Sequence, residues 1–297
     1  MLLDGGADVN AEGGSYGNTL QAACGGGHGM IALMLLERGA DVNTQSGSYG
    51  NALYATCARG HGMIALMLLE RGADVNARGG PHGNALHIAC SEGHDRIAQM
   101  LLERGADVNA QGGPYGDALY IACSEGHDKI AQMLLERGAD VDAQGGPHET
   151  ALHIACSEGH DRIAQMLLER GADVNAQGGH HGNALHIACS EGHDRIAQML
   201  LERRADVDAQ GGLYGNALHI ACSKGHKNIA QILIERGAVV NAQRRLHGNA
   251  LQAACLRGYY HIVQILQGQY SPDQSTSHPS PSKRLKVSPG FHITEFN

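Results

Sequence analysis

Apolar positions along the chain fall into two short helical stretches divided by glycine, and the pair recurs. In residues 83–113 the run Ala85 to Cys90 is apolar apart from His87 and stops near Gly93. Ile97, Met100 and Leu101 then follow at helical spacing. Asn84 precedes the first stretch, where its side-chain oxygen can accept an orphan N–H of the opening turn. His94 and Asp95 open the second stretch, and Asp95 lies where the helix dipole favours negative charge. Gly105 follows Glu103-Arg104 and suits a left-handed helix end. Ala106 to Asn109 leads into Gly112-Gly113, a turn signal. The pattern predicts a helix, a tight turn, a second helix and a hairpin loop.

This unit returns every 33 residues without an insertion: Leu20, Leu53, Leu86, Leu119, Leu152, Leu185, Leu218 and Leu251 mark it. All eight cysteines lie on the same lattice, from Cys24 to Cys255. Residues 82–114 and 181–213 differ only at Gly105/Arg204, Asn109/Asp208 and Pro114/Leu213. The position before the first helix holds Asn18, Asn51, Asn84, Asp117, Thr150, Asn183, Asn216 and Asn249, capping residues every one. Self-similarity at this period is the mark of a solenoid. Eight units are expected at 15–47, 48–80, 81–113, 114–146, 147–179, 180–212, 213–245 and 246–270. Residues 1–14 read as the end of a truncated repeat. Residues 271–297 hold four of the seven prolines and several serines, and read as a disordered tail. Gln264 and Gln267 on the last helix suit a polar outer cap.

The segments Asn84-Ala85-Leu86-His87, Gly93-His94 and Gly105-Ala106-Asp107-Val108-Asn109 resemble the T-P-L-H, G-H and G-A-D-V-N signatures of the ankyrin repeat. Thr150-Ala151-Leu152-His153 comes closest to the first. Asn or Asp usually replaces Thr, and Ala (once Thr, at Thr19) replaces Pro, changes that leave capping intact. The resemblance covers roughly residues 1–270. It implies an all-α ankyrin repeat solenoid, a curved right-handed stack of helix pairs with hairpin fingers. It also implies non-catalytic recognition of another protein through the concave face and fingers. Gly17 to Cys24, echoed at Gly248 to Cys255, resembles arrays of filamentous fungi that follow a NACHT-type domain. On that resemblance the alternative is a recognition fragment of a larger receptor. A third reading, from another class, is the targeting module of an enzyme whose catalytic domain is missing.

Composition agrees with thin repeated layers: 42 glycines, no Trp, two Phe and nine Tyr in 297 residues. A single large core would lean on aromatics for burial. The net charge of −8 argues against nucleic acid as partner. It argues equally against a polybasic membrane surface. The longest apolar runs, such as Met30 to Leu36, have seven residues, whereas a membrane span needs roughly 20. The N-terminus lacks the pattern of a signal peptide. The chain is therefore expected to be an intracellular monomeric array, cytoplasmic rather than nuclear. The basic run Lys283-Arg284-Leu285-Lys286 resembles an import signal, but reads first as a solubilising charge cluster.

No cofactor, metal or catalytic constellation is expected. The cysteines sit where successive helices pack about 8–10 Å apart, beyond the roughly 7 Å Cα separation a disulfide needs. They read as buried reduced thiols. His87, Cys90 and His94 have zinc-ligand chemistry, but His94 follows a helix-ending glycine, and the ankyrin resemblance assigns it a backbone hydrogen bond between elements. No nucleotide-binding or hydrolase motif occurs.

Two ladders vary along the array. Rings occupy one finger position: Tyr16, Tyr49, His82, Tyr115, His148, His181, Tyr214 and His247. They can offer contact area to a partner, or pack against the neighbouring finger, or both. The second ladder runs Gly26, Arg59, Glu92, Glu125, Glu158, Glu191, Lys224 and Arg257, near the end of each first helix. A carboxylate there opposes the helix dipole, so local stability does not account for it. The four Glu predict an acidic centre between basic ends.

Overall fold

The computed structural model describes residues 6–146, 149–211, 215–242 and 248–268. Of the residues singled out above, His148, Tyr214, His247, residues 1–5 and the tail with Lys283–Lys286 lie outside them. Eight helix pairs follow one another. The first four are α1 (Thr19–Gly25) with α2 (Gly29–Glu37), α3 (Ala52–Ala58) with α4 (Gly62–Glu70), α5 (Ala85–Ser91) with α6 (Asp95–Glu103), and α7 (Ala118–Ser124) with α8 (Asp128–Glu136). The others are α9 (Ala151–Glu158) with α10 (Asp161–Glu169), α11 (Ala184–Glu191) with α12 (Asp194–Glu202), α13 (Ala217–Lys224) with α14 (Lys227–Glu235), and α15 (Ala250–Leu256) with α16 (Tyr260–Gly268).

Each first helix starts where a capping side chain stands. Asn51 accepts from Tyr54 N–H at 2.7 Å, and Asp117 from Tyr120 N–H at 2.8 Å. Asn18 and Gln21 cap reciprocally: Gln21 N–H donates to Asn18 Oδ1 at 2.8 Å, and Asn18 N–H to Gln21 Oε1 at 3.0 Å. His87, His153 and His186 take the glutamine's place. Each such cap is worth about 1 kcal/mol. Each second helix buries the stripe set by its period, as in Ile97, Ala98, Leu101 and Leu102. The first seven of them end at a residue with positive φ, Gly105 at 87° for example. The same position in the sixth pair is held by Arg204 at φ 67°, the one non-glycine with positive φ among the described residues.

Hairpin fingers join the pairs. The strands β1 (Gln144–Gly145) and β2 (Glu149–Thr150) pair antiparallel, and isolated bridges such as Glu12 to Asn18 and Arg78 to Asn84 close other fingers. A side-chain ladder ties the finger bases together. Asp74 N–H donates to Asn43 Oδ1 at 2.8 Å, and Asn43 Nδ2 to the Gly72 carbonyl at 3.1 Å. Successive first helices pack more closely than successive second helices, so the stack bends and the first helices and fingers line its concave side. One continuous core of Leu, Ile, Ala and Cys threads the pairs.

Two expectations need correction. Seven cysteines are free and buried, but Cys255 is exposed. Nothing stacks on its side of the last pair among the described residues. The terminal cap is only partly polar: Gln264 and Gln267 are exposed, yet so are the apolar Leu256 and Tyr260.

Candidate binding face

Two kinds of histidine build the joints between units, and neither is poised to hold a metal. His87 Nδ1 lies 3.3 Å from the Asn84 N–H, and Nε2 lies 2.9 Å from the Ala110 carbonyl. Nδ1 also lies 2.6 Å from Asn84 Oδ1. His153 and His186 do the same toward Ala176 and Ala209, both at 3.0 Å. Burial pushes the His87 and His153 pKa down, because charging a ring beneath a finger loses hydration. The second kind spans from one pair to the one before it. His127, His160, His193 and His226 place Nε2 3.1–3.3 Å from the carbonyls of Ser91, Ser124, Ser157 and Ser190. The seven buried thiols are equally committed to the interior: burial raises Cys24 to about 11 and Cys222 to about 12, far from thiolate chemistry.

The finger glycines have a reason beyond turn geometry. Gly112 has φ −90°, so it does not require glycine for its backbone. A Cβ there would run into the His87 ring, and one at Gly145 into Tyr120. The finger lies flat on the aromatic residue at the third position of the preceding first helix. Gly113, next to it, does take positive φ at 73°. The turn was expected from the sequence, and this close approach was not. Its signal was present in the pairing of each Gly-Gly with a ring, Gln or His one unit back.

On this frame the two ladders meet. Tyr16 stacks on Tyr49 with ring centroids 5.8 Å apart and planes at 16°. His82 stacks on Tyr115 at 4.4 Å and 25°. The rings therefore do pack on the neighbouring finger, while Tyr16 and Tyr115 still leave nearly half their surface open, 43% and 47%. His181 is exposed as well. Glu92 and Glu125 cap the ends of α5 and α7, and Glu158 and Glu191 end α9 and α11; all four are exposed. His82 and Tyr115 share a cleft of about 260 Å³ with Glu125, floored by Tyr120, Ile121 and Ser124 of α7. Two units before Tyr115 and Glu125, Arg59 Nη2 donates to the Tyr49 hydroxyl at 2.9 Å. Ring and charge ladders thus occupy one face, the rings on the fingers and the charges at the ends of the first helices. At the starts of the second helices Lys129, Arg162 and Arg195 pair with Asp95, Asp128 and Asp161 of the preceding pair at 3.6–3.7 Å. Such exposed pairs add little stability.

An open stack of capped helix pairs, repeating its polar groups along a groove, defines a solenoid recognition scaffold. A family model described as ankyrin repeats (3 copies) matches residues 20–112, 79–145, 119–211 and 185–276. The chain belongs to the ankyrin repeat family, whose members generally mediate protein–protein interaction. No curated protein matches it. Among the described residues no helix is long and apolar enough to cross a membrane.

Proposed function

We propose that this chain is a non-catalytic, intracellular protein-binding scaffold whose concave face and fingers receive a partner bearing basic groups over the central units. The supporting observation is the cleft where Glu125 joins the stacked His82 and Tyr115. Glu92, Glu158 and Glu191 repeat the charge at the equivalent positions. Successive units lie about 10 Å apart, so their fields add along the groove. Exposed charges of this kind act on encounter more than on residence. The rings supply rigid contact area that slows departure. Catalysis would need a unique set of unlike groups in a pocket, whereas these groups recur unit after unit. A reading as the recognition portion of a longer NACHT-type receptor rests on the Gly17 to Cys24 resemblance alone, and sequencing a full-length transcript tests it.

The direct experiment identifies a partner by capture on the immobilised array and mass spectrometry. Association is then measured with all four Glu replaced by Gln. The association rate should fall roughly tenfold at low salt, and its salt dependence should flatten, while circular dichroism stays unchanged. An unaltered rate and salt slope would show that the acidic row is a by-product of unit duplication.

A further inference from the structure

We propose that the groove between α4 and α6 is a second docking surface, fitted to an amphipathic helix of a partner protein that brings apolar side chains one turn apart and a carboxylate beside them. Second helices line this groove, so it is separate from the rings on the fingers and the charges at the ends of the first helices. Its occupant carries the charge opposite to that of the partner over the central acidic row.

The groove exists because α4 departs from the helices that follow it. Helices α6, α8, α10 and α12 open with Asp, then Arg or Lys, and carry Gln at the fifth position. In α4 those three places hold Gly62, Met63 and Leu66. A cleft of about 550 Å³ lies there, with Met63 and Leu66 on one wall and Ile97 and Met100 on the other. Among the described residues of the six inner pairs, Met63 is the most exposed large apolar side chain, at 79%. Both α2 and α6 pack against α4, so no missing neighbour accounts for this exposure. Each wall offers apolar residues three positions apart, and a helix laid in a groove presents its own anchors at that spacing. The flexible thioethers of Met63 and Met100 adapt to the shape of such an occupant.

Charge decides what stands beside the anchors. Farther along the array Lys129, Arg162 and Arg195 meet Asp95, Asp128 and Asp161 of the preceding second helix at 3.6–3.7 Å. Asn228 continues the ladder, donating to Asp194 at 2.7 Å. Arg96 holds the first basic place in this series, and Gly62 stands where its aspartate would be. Among the described residues Arg96 makes no ion pair, and it lines the cleft together with Gly62. The later rungs define its complement as a carboxylate. The fold does not demand glycine at position 62. Its φ is not positive, and a Cβ would meet only Ile97, at an ordinary 3.7 Å.

The probe is a synthetic helical peptide of about 18 residues, roughly five turns, with Leu at i, i+3 and i+7 and Glu flanking them. It is titrated into the full chain carrying labelled methionine methyls and followed by NMR. The Met63 and Met100 signals should shift and saturate. Gly62→Asp hands Arg96 an internal carboxylate, so this variant should bind roughly tenfold more weakly, as should a peptide with Gln for Glu. Met63→Arg with Leu66→Gln should abolish binding. All three substitutions install residues that α6 carries at the same places, so circular dichroism and the thermal midpoint should hold. Replacing Glu92, Glu125, Glu158 and Glu191 by Gln should not weaken this binding, which separates its outcome from that of the concave-face reading. The proposal is overturned by a peptide that does not saturate, by shifts confined to other methionines, or by a Gly62→Asp chain that binds as tightly as wild type. It is overturned equally if laurate, a lipid carboxylate, saturates Met63 where the peptide does not.

Discussion

At the scale of single residues, position three of the first helix carries the clearest consequence. Gln21 and His87 do the same work there. Gln21 Oε1 accepts from the Asn18 N–H, and its Nε2 donates to the carbonyls of Thr44 and Gly50 at 3.0 and 2.9 Å. His87 meets Asn84 and Ala110 in the same way. Glutamine does not titrate, and histidine does. Because burial lowers the His87 and His153 pKa, the unfolded chain takes up protons first as pH falls through about 6.5. Stability is therefore full above that value and declines below it. His87→Gln with His153→Gln should keep the fold and shrink the drop in urea midpoint between pH 7.5 and 5.5. An undiminished drop would place the titration elsewhere. The thiols give a second residue-scale test. One cysteine, Cys255, should react within minutes with a bulky reagent under native conditions, and the other seven only on unfolding. Rapid labelling of several would contradict their burial.

At the scale of elements, the joints that follow the sixth and the seventh helix pairs each depart from the others once. Arg204 holds a left-handed backbone that glycine holds elsewhere, at a cost of about 1 kcal/mol. Val239 stands where other fingers place an aspartate. In those fingers the carboxylate accepts the N–H two residues on, as Asp107 does from Asn109 at 3.0 Å. Val239 has no carboxylate to offer Asn241, although its own N–H still reaches Asp208 Oδ1 at 2.8 Å. Arg204→Gly and Val239→Asp should each stabilise by about 1 kcal/mol, a rise of roughly 2–4 °C in the thermal midpoint. A fall on replacing Arg204 would reveal a compensating contact of its side chain.

At the scale of the whole molecule, stability passes only between neighbours, since each pair touches the one before and the one after. A weak joint therefore divides the array into parts that can open separately. Amides of α13 and α15 should exchange faster than those of α5, α7 and α9, and the double variant Arg204→Gly/Val239→Asp should slow them. Equal exchange on both sides of the joint would mean that the array unfolds as one unit.

Much of this protein was legible in its residues because its decisive interactions are local and periodic. Asn84 caps because the orphan N–H groups it meets lie within three positions of it, Gly105 ends a helix through its own φ, and the repeat lattice shows Arg204 standing in a glycine's place. The 33-residue lattice then turned one unit into a solenoid. What tertiary structure decided are relations between residues far apart in the chain. The stacking of His82 on Tyr115 and the cleft they share with Glu125 depend on how one finger lies beside the next. The need for glycine at Gly112 comes from a ring 25 positions earlier, and the exposure of Cys255, identical in sequence pattern to seven buried cysteines, comes from the absence of a further unit above it among the described residues. A capping bond is set by a few adjacent dihedrals, whereas burial and stacking are set by whatever element the fold brings alongside, and no local pattern records that neighbour.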